Sequence, residues 1–461
     1  MWLRCNFSEV SFGDILGVVM EKIHLVMLLL LLLGSSPGRA SCRNCHSVKL
    51  DQNHAFSCDR CHAGDPRASQ KEKAHRELIT RPAHPRNWDR ACGKCHTREI
   101  TVLKKTPHYT LAPAINAVLS AFGLPRVKSL LALPEPGPLR TRADLLYDLL
   151  RRRCLKCHLF YPGEGYPEAR RGTGCAACHL LYAQGKLADH RFQEPSPRNC
   201  LHCHYGNRVG WDYYGFFAHD LSQAFRTPLV KGHFPARPWG IEFHEMTPDL
   251  HVQKGLSCTD CHGRAELMEG RSGKTCLSCH RRVKGRRPFH TERVLAQVRC
   301  ESCHAVWMAR DEGLYLTLYE NPDWEEWQDL WVQEDAEIEA LFREFFSGKT
   351  PQPFTTDKVS GKSRRGVWLF TLQHRRFEKI VLGSDARGRI SPVRPLLDLH
   401  LTWVDTEDEV RLEDWHPQEA RELPFTPHTT GPGDTFRALR ILKTLGNFSK
   451  WELGEAPPRR N

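Results

Sequence analysis

One five-residue pattern, Cys-x-x-Cys-His, constrains this chain more than any other feature, because it occurs nine times between residues 42 and 304. The paired cysteines of these motifs are Cys42 and Cys45, Cys58 and Cys61, Cys92 and Cys95, Cys154 and Cys157, Cys175 and Cys178, Cys200 and Cys203, Cys258 and Cys261, Cys276 and Cys279, and Cys300 and Cys303. The histidines that close the motifs are His46, His62, His96, His158, His179, His204, His262, His280 and His304. Of the 19 cysteines, only Cys5 lies outside the pattern. Any fold of this chain must therefore accommodate nine identical turns, each carrying two sulfurs and one imidazole.

The spacing within the motif indicates its chemistry. Two residues between the cysteines place both sulfurs on one helical turn, and the histidine that follows can reach the same centre. This is the spacing of c-type haem attachment, in which the sulfurs bind the vinyl groups and the histidine binds the iron. Zinc sites also use Cys-x-x-Cys pairs, but they do not require a histidine after every second cysteine. A disulfide framework would fit an oxidising compartment, but after residue 40 no cysteine is left over for one. The sequence predicts nine covalently attached haems.

The second axial ligand decides what each haem iron does. A methionine partner raises the reduction potential, a histidine partner lowers it, and an open position admits a substrate. After residue 40 the chain has only three methionines, Met246, Met268 and Met308, whereas the histidines outside the motifs outnumber the nine positions. The sequence therefore predicts mostly bis-histidine, low-potential haems.

The candidate second ligands differ in their sequence context. The strongest candidates are His54, His75, His108, His251 and His290. Four others occupy the long gaps before the sixth and seventh motifs, namely His190, His219, His233 and His244. For His84, a surface or core role is as consistent with the sequence as the role of second ligand. For His374, His400 and His416, a surface or core role is favoured. His202 lies inside the sixth motif and cannot easily turn back to its own iron, and His428, in Pro-His-Thr-Thr, stays an open candidate.

The amino-terminal segment resembles an export signal. An apolar run over residues 23–33 follows Lys22, and the small residues at positions 38 and 40 fit a signal peptidase site, which predicts a mature start near Ser41. The run is too short to span a bilayer, for which about 20 residues are needed. Residues 1–19 precede a second methionine, Met20, and are interpreted as an over-long start. We expect an exported chain that does not span a membrane, in the periplasm or on the outer surface of a Gram-negative bacterium.

The formal net charge of +12 would ordinarily favour a nucleic-acid or membrane partner. We discount both, because the propionates of nine haems would offset that charge and because the Lys and Arg residues are scattered rather than grouped in runs. The basic polypeptide is interpreted as the counter-charge of its own cofactors. No nucleic-acid partner is expected.

The chain length and the motif positions predict three segments. These are an extension and signal peptide over 1–40, a nine-haem module over 41–304, and a haem-free carboxyl-terminal region over 305–461. The module is predicted to be mainly irregular and α-helical, with a haem-packed core and little regular sheet. The carboxyl-terminal region is predicted to be small and α+β, with the role of a structural cap or a partner surface.

Several elements are predicted individually. Thr141 and Asp144 form a helix-initiating capping box ahead of a leucine-rich stretch. The acidic segment 323–346 has helical periodicity. Residues 367–372 and 377–382 have strand character, with the second strand meeting Ile390 across a turn, and apolar and polar residues alternate over 397–403.

The chain resembles the large multihaem cytochromes of metal- and oxyanion-respiring bacteria. The resemblance rests on Cys58-Asp-Arg-Cys-His-Ala-Gly-Asp-Pro66, on Lys73-Ala-His75, and on His251 ahead of Lys-Gly-Leu-Ser-Cys258. Within this group the chain is similar to the c-type cytochromes of selenite/tellurite-reduction clusters. The resemblance implies a final Pro-His-Thr followed by another Cys-x-x-Cys-His, but no cysteine follows His428 here. On this comparison a tenth haem has been lost, which leaves His428 without its original role.

Three functions are compatible with these features. The first is an electron conduit in an anaerobic respiratory or extracellular electron-transfer chain, whose partners are other redox proteins such as a membrane quinol-oxidising complex and periplasmic or outer-membrane cytochromes. The second is a terminal reductase in which one open haem acts on a small oxyanion such as nitrite, tetrathionate or selenite. The third is a self-associating cytochrome in which a surplus histidine binds a haem of the next subunit. The surplus of histidines, and the absence of any motif ending in lysine, favour the conduit.

Overall fold

The computed structural model describes residues 42–207, 210–219, 231–270, 273–395, 398–417 and 422–446. The predicted signal segment and Cys5 lie outside these residues. The chain divides into two compact units, one formed by residues 1–49 and 55–80 and the other by residues 50–54 and 81–461. In the described part of the chain, no helix is both long enough and apolar enough to cross a membrane.

Most helices are short. In chain order they are α1 (Asp59–His62), α2 (Lys71–Ala74), α3 (Thr97–Leu103), α4 (Pro107–Thr110), α5 (Ala112–Ala121), α6 (Arg142–Leu149), α7 (Ala176–His179), α8 (Pro197–Leu201), α9 (Leu250–Gln253), α10 (Cys258–Cys261), α11 (Arg264–Leu267), α12 (Cys276–Cys279), α13 (Glu292–Gln297), α14 (Glu301–His304), α15 (Trp324–Trp327), α16 (Ala336–Phe346) and α17 (Thr435–Leu445). Single 3-10 turns cover Cys42–Asn44, Gln52–His54, Pro85–Arg90, Cys92–Lys94, Leu130–Ala132, Asp212–Tyr214, Arg281–Val283 and Gln328–Leu330, and a π-helical turn covers Leu150–Cys154.

The strands are β1 (Leu181–Ala183), β2 (Lys186–Asp189), β3 (Phe216–Ala218), β4 (Phe243–Glu245), β5 (Met308–Tyr319), β6 (Phe354–Thr356), β7 (Ser363–Arg365), β8 (Val367–Glu378), β9 (Leu382–Ser384), β10 (Ile390–Pro395), β11 (Leu399–Val404), β12 (Val410–Trp415) and β13 (Glu422–Pro424). The largest sheet has the order β12-β11-β5-β8, in which β11 and β5 are parallel and the other pairs are antiparallel. A second sheet has the order β13-β10-β9, and β1-β2, β3-β4 and β6-β7 are hairpins.

The smaller unit contains the first two motifs, α1 and α2. Its polypeptide buries little apolar surface, because Ile79 is its only buried side chain among the described residues. Ile79 is held against the second motif by its N–H, which donates to the carbonyl oxygen of His62 at 2.7 Å.

In the larger unit, one apolar core joins residues from both sides of the predicted boundary at 304/305. It packs Leu119 of α5 and Leu146 of α6 against Leu316 of β5, Trp368 of β8 and Leu401 of β11. All five side chains are at most 1 % exposed, and each fully buried side chain of this kind stabilises the fold by about 1.5–3 kcal/mol. The carboxyl-terminal sheet is therefore part of the packing around the preceding helices.

The helix predicted from Thr141 and Asp144 is confirmed. The Asp144 N–H donates to Thr141 Oγ1 at 3.1 Å, and the Thr141 N–H donates to Asp144 Oδ2 at 3.0 Å, so α6 begins with a reciprocal capping box. The π-helical turn extends this helix as far as the first cysteine of the fourth motif, Cys154.

The prediction of one helix over 323–346 is wrong, because the segment forms two helices, α15 and α16, with an interruption between them. The second helix, α16, begins after Asp335, because the Asp335 carboxylate caps it by accepting hydrogen bonds from the N–H groups of Glu337 and Ile338. Gln333 also leaves the helical path, because its side-chain amide pairs with the backbone of Phe370.

The strand predictions over 367–372 and 397–403 correspond to β8 and β11, although Leu397 lies outside the described residues. The turn before Ile390 is confirmed by the β9–β10 pairing. The strand predicted over 377–382 is wrong in its bounds, because β8 continues through Phe377 and a new strand begins at Leu382.

Candidate haem-binding motifs

Eight of the nine motifs form one closed turn. In these eight, the N–H of the motif histidine donates to the carbonyl oxygen of the first cysteine, as for His62 with Cys58 at 2.8 Å and His280 with Cys276 at 2.9 Å. This is the hydrogen bond of a single α-helical turn. It fixes two sulfurs and one imidazole in a constant relation, which suits one porphyrin bound through two thioethers and one axial nitrogen.

Among the ring contacts that the structure describes, six pair a motif histidine with a second histidine. In the smaller unit the ring centroids of His46 and His75 are 5.9 Å apart. In the larger unit the corresponding separations are 6.1 Å for His96 and His54, 6.2 Å for His204 and His108, 6.3 Å for His262 and His428, 6.0 Å for His280 and His251, and 6.1 Å for His304 and His290. Two imidazoles that bind one metal ion from opposite sides, each at about 2 Å, have their ring centroids roughly 6 Å apart. The paired rings therefore fit a six-coordinate haem iron between them.

The ring nitrogens are oriented for the same purpose. In four motif histidines Nδ1 donates to a fixed oxygen, as in His62 to the Ile79 carbonyl at 2.9 Å and His304 to the Gly431 carbonyl at 3.1 Å. The opposing histidine His251 does likewise, donating to Asp249 Oδ1 at 2.9 Å. Metal-binding histidines characteristically donate their other ring N–H in this way, which fixes the tautomer and leaves Nε2 for the metal.

The five histidines that the sequence ranked first, His54, His75, His108, His251 and His290, all lie opposite a motif histidine. Their partners are not always the nearest motif in the sequence. His251 precedes the seventh motif but faces His280 of the eighth, and His54, between the first two motifs, faces His96 of the third. Which two histidines face each other therefore depends on how the motifs pack.

The second group of candidates is placed differently. His219 and His244 stack on each other with ring centroids 3.6 Å apart, His233 is exposed, and His190 is half-buried after β2. His202, which the sequence set aside, is 1 % exposed and donates from Nδ1 to the Glu168 carbonyl at 2.6 Å. Its Nε2 is buried without a hydrogen-bond partner. His202 therefore has the geometry of a ligand to a motif other than its own.

His428, which the sequence left as an open candidate, also lies opposite a motif histidine. The resemblance implied that it had lost its original partner, and its ring lies 6.3 Å from that of His262 in the seventh motif. The segment that follows also holds the ninth motif, because the Gly431 N–H donates to the His304 carbonyl at 2.9 Å and Arg437 donates to the Cys303 carbonyl at 3.0 Å.

The fourth motif differs from the others. Its histidine, His158, is 2 % exposed and its Nδ1 accepts from the Phe160 N–H at 3.2 Å, whereas its Nε2 is buried without a hydrogen-bond partner. Burial, reinforced by the charge of Arg171, lowers the pKa of His158 to about 3. The ring contacts of His158 are with Phe160 and Tyr161 rather than with a histidine.

Buried ion pairs precede and flank this motif. Arg151 contacts Asp357 at 2.7 Å, Arg152 contacts Asp148 at 3.0 Å, and Arg153 contacts Asp335 at 3.0 Å. Asp335 also contacts Lys358 at 2.9 Å. Although burial alone would raise the pKa of Asp335, the charges of Lys358 and Arg153 hold that pKa well below its usual range. Local sequence patterns do not reveal this cluster, because Asp335, Asp357 and Lys358 lie far from the motif in the chain.

The motifs also contact one another through their cysteines. Cysteines of different motifs lie close enough to shift each other's pKa: in the larger unit the pKa of Cys175 is raised by Cys92, that of Cys203 by Cys157, that of Cys200 by Cys258 and that of Cys276 by Cys300, and in the smaller unit burial and Cys58 raise the pKa of Cys42. The third and fifth motifs, the fourth and sixth, the sixth and seventh, and the eighth and ninth are thus neighbours in space. One glycine permits such an approach, since Gly174, directly before Cys175, has φ +56° and a side chain there would overlap the Ala83 carbonyl.

Comparison with known proteins agrees with this chemistry. The family model described as cytochrome c554 and c-prime matches residues 264–305, which include the eighth and ninth motifs. The chain is similar to cytochrome c-552 of Bacteroides thetaiotaomicron, with 28% identity over 131 residues, covering 25% of this chain and 24% of the relative. It is also similar to cytochrome c-552 of Porphyromonas gingivalis, with 25% identity over 165 residues, covering 32% of this chain and 29% of the relative.

The matches therefore span between a quarter and a third of the length of these relatives. No solved structure matches the chain. The similarities support a c-type cytochrome that binds haem and takes part in electron transfer.

Proposed function

We propose that this protein is an exported nine-haem electron conduit whose haems are mostly bis-histidine and of low potential. The observation that carries the proposal is the set of six opposed imidazole pairs, with ring centroids 5.9–6.3 Å apart. Bound haem would supply reversible one-electron redox chemistry at each motif. The chain would supply two thioether sulfurs and, in these six motifs, both axial nitrogens.

The contacts between motif cysteines support transfer from one motif to the next. A conduit needs its redox groups close together, and cysteines of neighbouring motifs lie near one another, so the haems attached to them would be close. Methionine has little opportunity to raise the potentials, since Met308 is buried in an apolar cluster with Ala305 and Ile380. We further propose that the partners are other redox proteins of the respiratory chain, and that the haem-free carboxyl-terminal region acts as a cap or partner surface.

Two measurements on the holoprotein test this function. Intact mass spectrometry should find nine haem additions on a chain that begins near Ser41, and electron paramagnetic resonance of the oxidised protein should find low-spin ferric iron. Fewer than nine additions would refute the haem count. A high-spin ferric signal integrating to a whole haem would refute the account in which every iron is six-coordinate.

The fourth motif favours a second candidate function, a reductase of a small oxyanion. His158 has neighbouring aromatic rings where six other motif histidines have an imidazole, and Arg171 and Lys358 lie buried close to it. π-helical turns such as Leu150–Cys154 are also frequent at functional sites. Here the expected result is a single high-spin haem whose signal shifts when nitrite or selenite is added. The same high-spin signal should disappear in the Cys154→Ser/Cys157→Ser variant.

A further inference from the structure

A separate group of metal-binding side chains lies on the carboxyl-terminal sheet, in the region without cysteines. It comprises His400 on β11, Asp414 on β12 and His416 directly after β12. One ligand atom from each residue lies within 4.8 Å of the other two. Two imidazoles and a carboxylate form a donor set that suits Zn²⁺ and related divalent ions.

The strand pattern explains why these side chains meet. Leu399 and Leu401 point into the apolar core and are at most 1 % exposed, so His400 between them projects from the opposite face of the sheet. β12 is the edge strand beside β11, and it brings Asp414 to within 2.5 Å of the His400 ring, measured from Oδ1 to Nδ1. The rings of His400 and His416 have centroids 4.8 Å apart.

Neighbouring groups orient the His400 ring. Tyr315, its register partner on β5, stacks against it with ring centroids 4.3 Å apart and an interplanar angle of 20°. On the other side of the ring, Nε2 lies 3.3 Å from Asp398 Oδ1, and the second oxygen of Asp398 accepts from the Gly313 N–H at 2.9 Å. A carboxylate that supports the far nitrogen of a histidine is the arrangement found behind many metal-bound imidazoles.

His416 is oriented by its own backbone. Its Nδ1 donates to the Pro417 carbonyl at 2.9 Å, which leaves Nε2 as the metal-binding nitrogen. His416 and Asp414 are exposed and His400 is only partly buried, so an ion can reach the group from solvent.

We propose that His400, Asp414 and His416 bind one divalent transition-metal ion of the Zn²⁺ class, with Asp398 as the supporting carboxylate. The ion would take the place of the proton that now joins Nδ1 of His400 to Asp414, and water would complete its coordination. The ion would link β11 to the edge strand β12 and to the residue after it, and it would thereby stabilise the exposed edge of the sheet.

Zinc binding to the holoprotein tests the proposal. Zn²⁺ is the appropriate probe because the haems cannot reduce it and because covalent haem keeps its iron when loosely bound metals are removed with a chelator. After equilibrium dialysis at rising Zn²⁺, metal analysis should find one zinc per chain, with haem iron as the internal measure of protein. Binding should saturate in the micromolar range.

Four variants locate the site. Loss of a residue that supports a metal ligand typically weakens metal binding by roughly 10- to 100-fold, so Asp398→Asn should weaken zinc binding by about 10-fold. His416→Gln and Asp414→Asn each remove a ligand and should weaken zinc binding by more than that range. His374→Gln, on β8 of the same sheet, is the matched control and should bind as the parent does. Haem content and circular dichroism establish that each variant is folded.

Two outcomes would overturn the proposal. One is a parent protein that retains no zinc even at Zn²⁺ concentrations about 100-fold above the expected micromolar range. The other is one zinc per chain that persists with unchanged affinity in both His416→Gln and Asp414→Asn.

Discussion

The fourth motif and the seventh and eighth motifs obtain their stability from different sources. The fourth motif follows α6, whose leucines pack into the core with the β12-β11-β5-β8 sheet, and its histidine is 2 % exposed. The seventh and eighth motifs lie on α10 and α12, and neither these helices nor α9 and α11 beside them contain a buried residue. The cysteines Cys261, Cys276 and Cys279 are exposed.

This difference indicates which part of the fold the polypeptide can maintain by itself. Burial of apolar surface is the main term that offsets the conformational entropy of an ordered chain. Around the fourth motif, amino-acid side chains supply that burial. Around the seventh and eighth motifs they do not, so the apolar faces of covalently bound porphyrin would have to supply it.

The largest expected effect follows from withholding haem. In a chain made without haem attachment, residues 250–283 should lose almost all protection of their backbone amides, whereas β5, β8 and β11 should keep most of theirs. Hydrogen exchange measured by mass spectrometry on the haem-free and haem-loaded chains makes the comparison. Equal protection of both regions in the haem-free chain would contradict it.

The second prediction tests the ion pairs beside the fourth motif. Asp335→Asn removes the carboxylate that Lys358 and Arg153 share and leaves Lys358 only the weaker contact with Glu164 at 3.5 Å. Breaking a buried ion pair in this way destabilises a protein by about 3–5 kcal/mol. Urea unfolding followed by circular dichroism of the holoprotein measures the loss. The control is Lys362→Ala, which removes an ion pair with Glu135 whose lysine side chain is 68% exposed, and it should leave the midpoint almost unchanged. Equal effects from both substitutions would show that the buried cluster has no special weight.

The same cluster predicts how stability depends on pH. The pKa values of Asp335, Asp357 and Glu334 are lower in the folded chain than usual, because nearby cations outweigh the opposing effect of burial. A carboxyl whose pKa is lowered on folding contributes stability above its unfolded pKa, near 4, and loses it as the pH falls towards its folded pKa. The stability difference between the parent and Asp335→Asn should therefore be full at pH 7 and should shrink below about pH 4. A difference that grows in acid would reverse the assigned sign.

The smallest structural effect is expected from a single ligand in the exposed region. His251→Ala should leave nine haems attached and convert one to high spin, whereas His233→Ala, which removes an exposed histidine, should leave the spectrum unchanged. The structure also specifies which haem changes. If His251 serves the eighth motif, adding His251→Ala to a Cys276→Ser/Cys279→Ser chain should produce no further high-spin signal. A further signal in that background would assign His251 to another motif.

The sequence predicted the local chemistry of the site better than its connections. The nine motifs and the leading second histidines are readable because each depends on a few adjacent residues. The partners of His54 and His251 were not readable, because which two histidines face each other depends on how short turns pack. The pairing of His428 with His262 joins segments far apart in the chain, and no local pattern encodes that contact.

The fold shows the same limit. The capping box at Thr141 was predictable because its hydrogen bonds span three residues. The break before Asp335 was not, because Gln333 is drawn out of the helix by Phe370 on a distant strand. The acidic partners of Arg151 and Arg153 were similarly hidden, because Asp357 and Asp335 lie far from these arginines in the sequence.

The segment from His428 to α17 bears on biogenesis. It places one imidazole opposite the seventh motif and holds the ninth motif through Gly431 and Arg437. A ribosome makes this segment after every motif has already emerged. On the proposed haem content, the haem of the seventh motif therefore spends an early stage of maturation with only His262 on its iron. Completion of that centre is timed by the arrival of this segment, so a part of the chain that is synthesised later closes a site laid down much earlier.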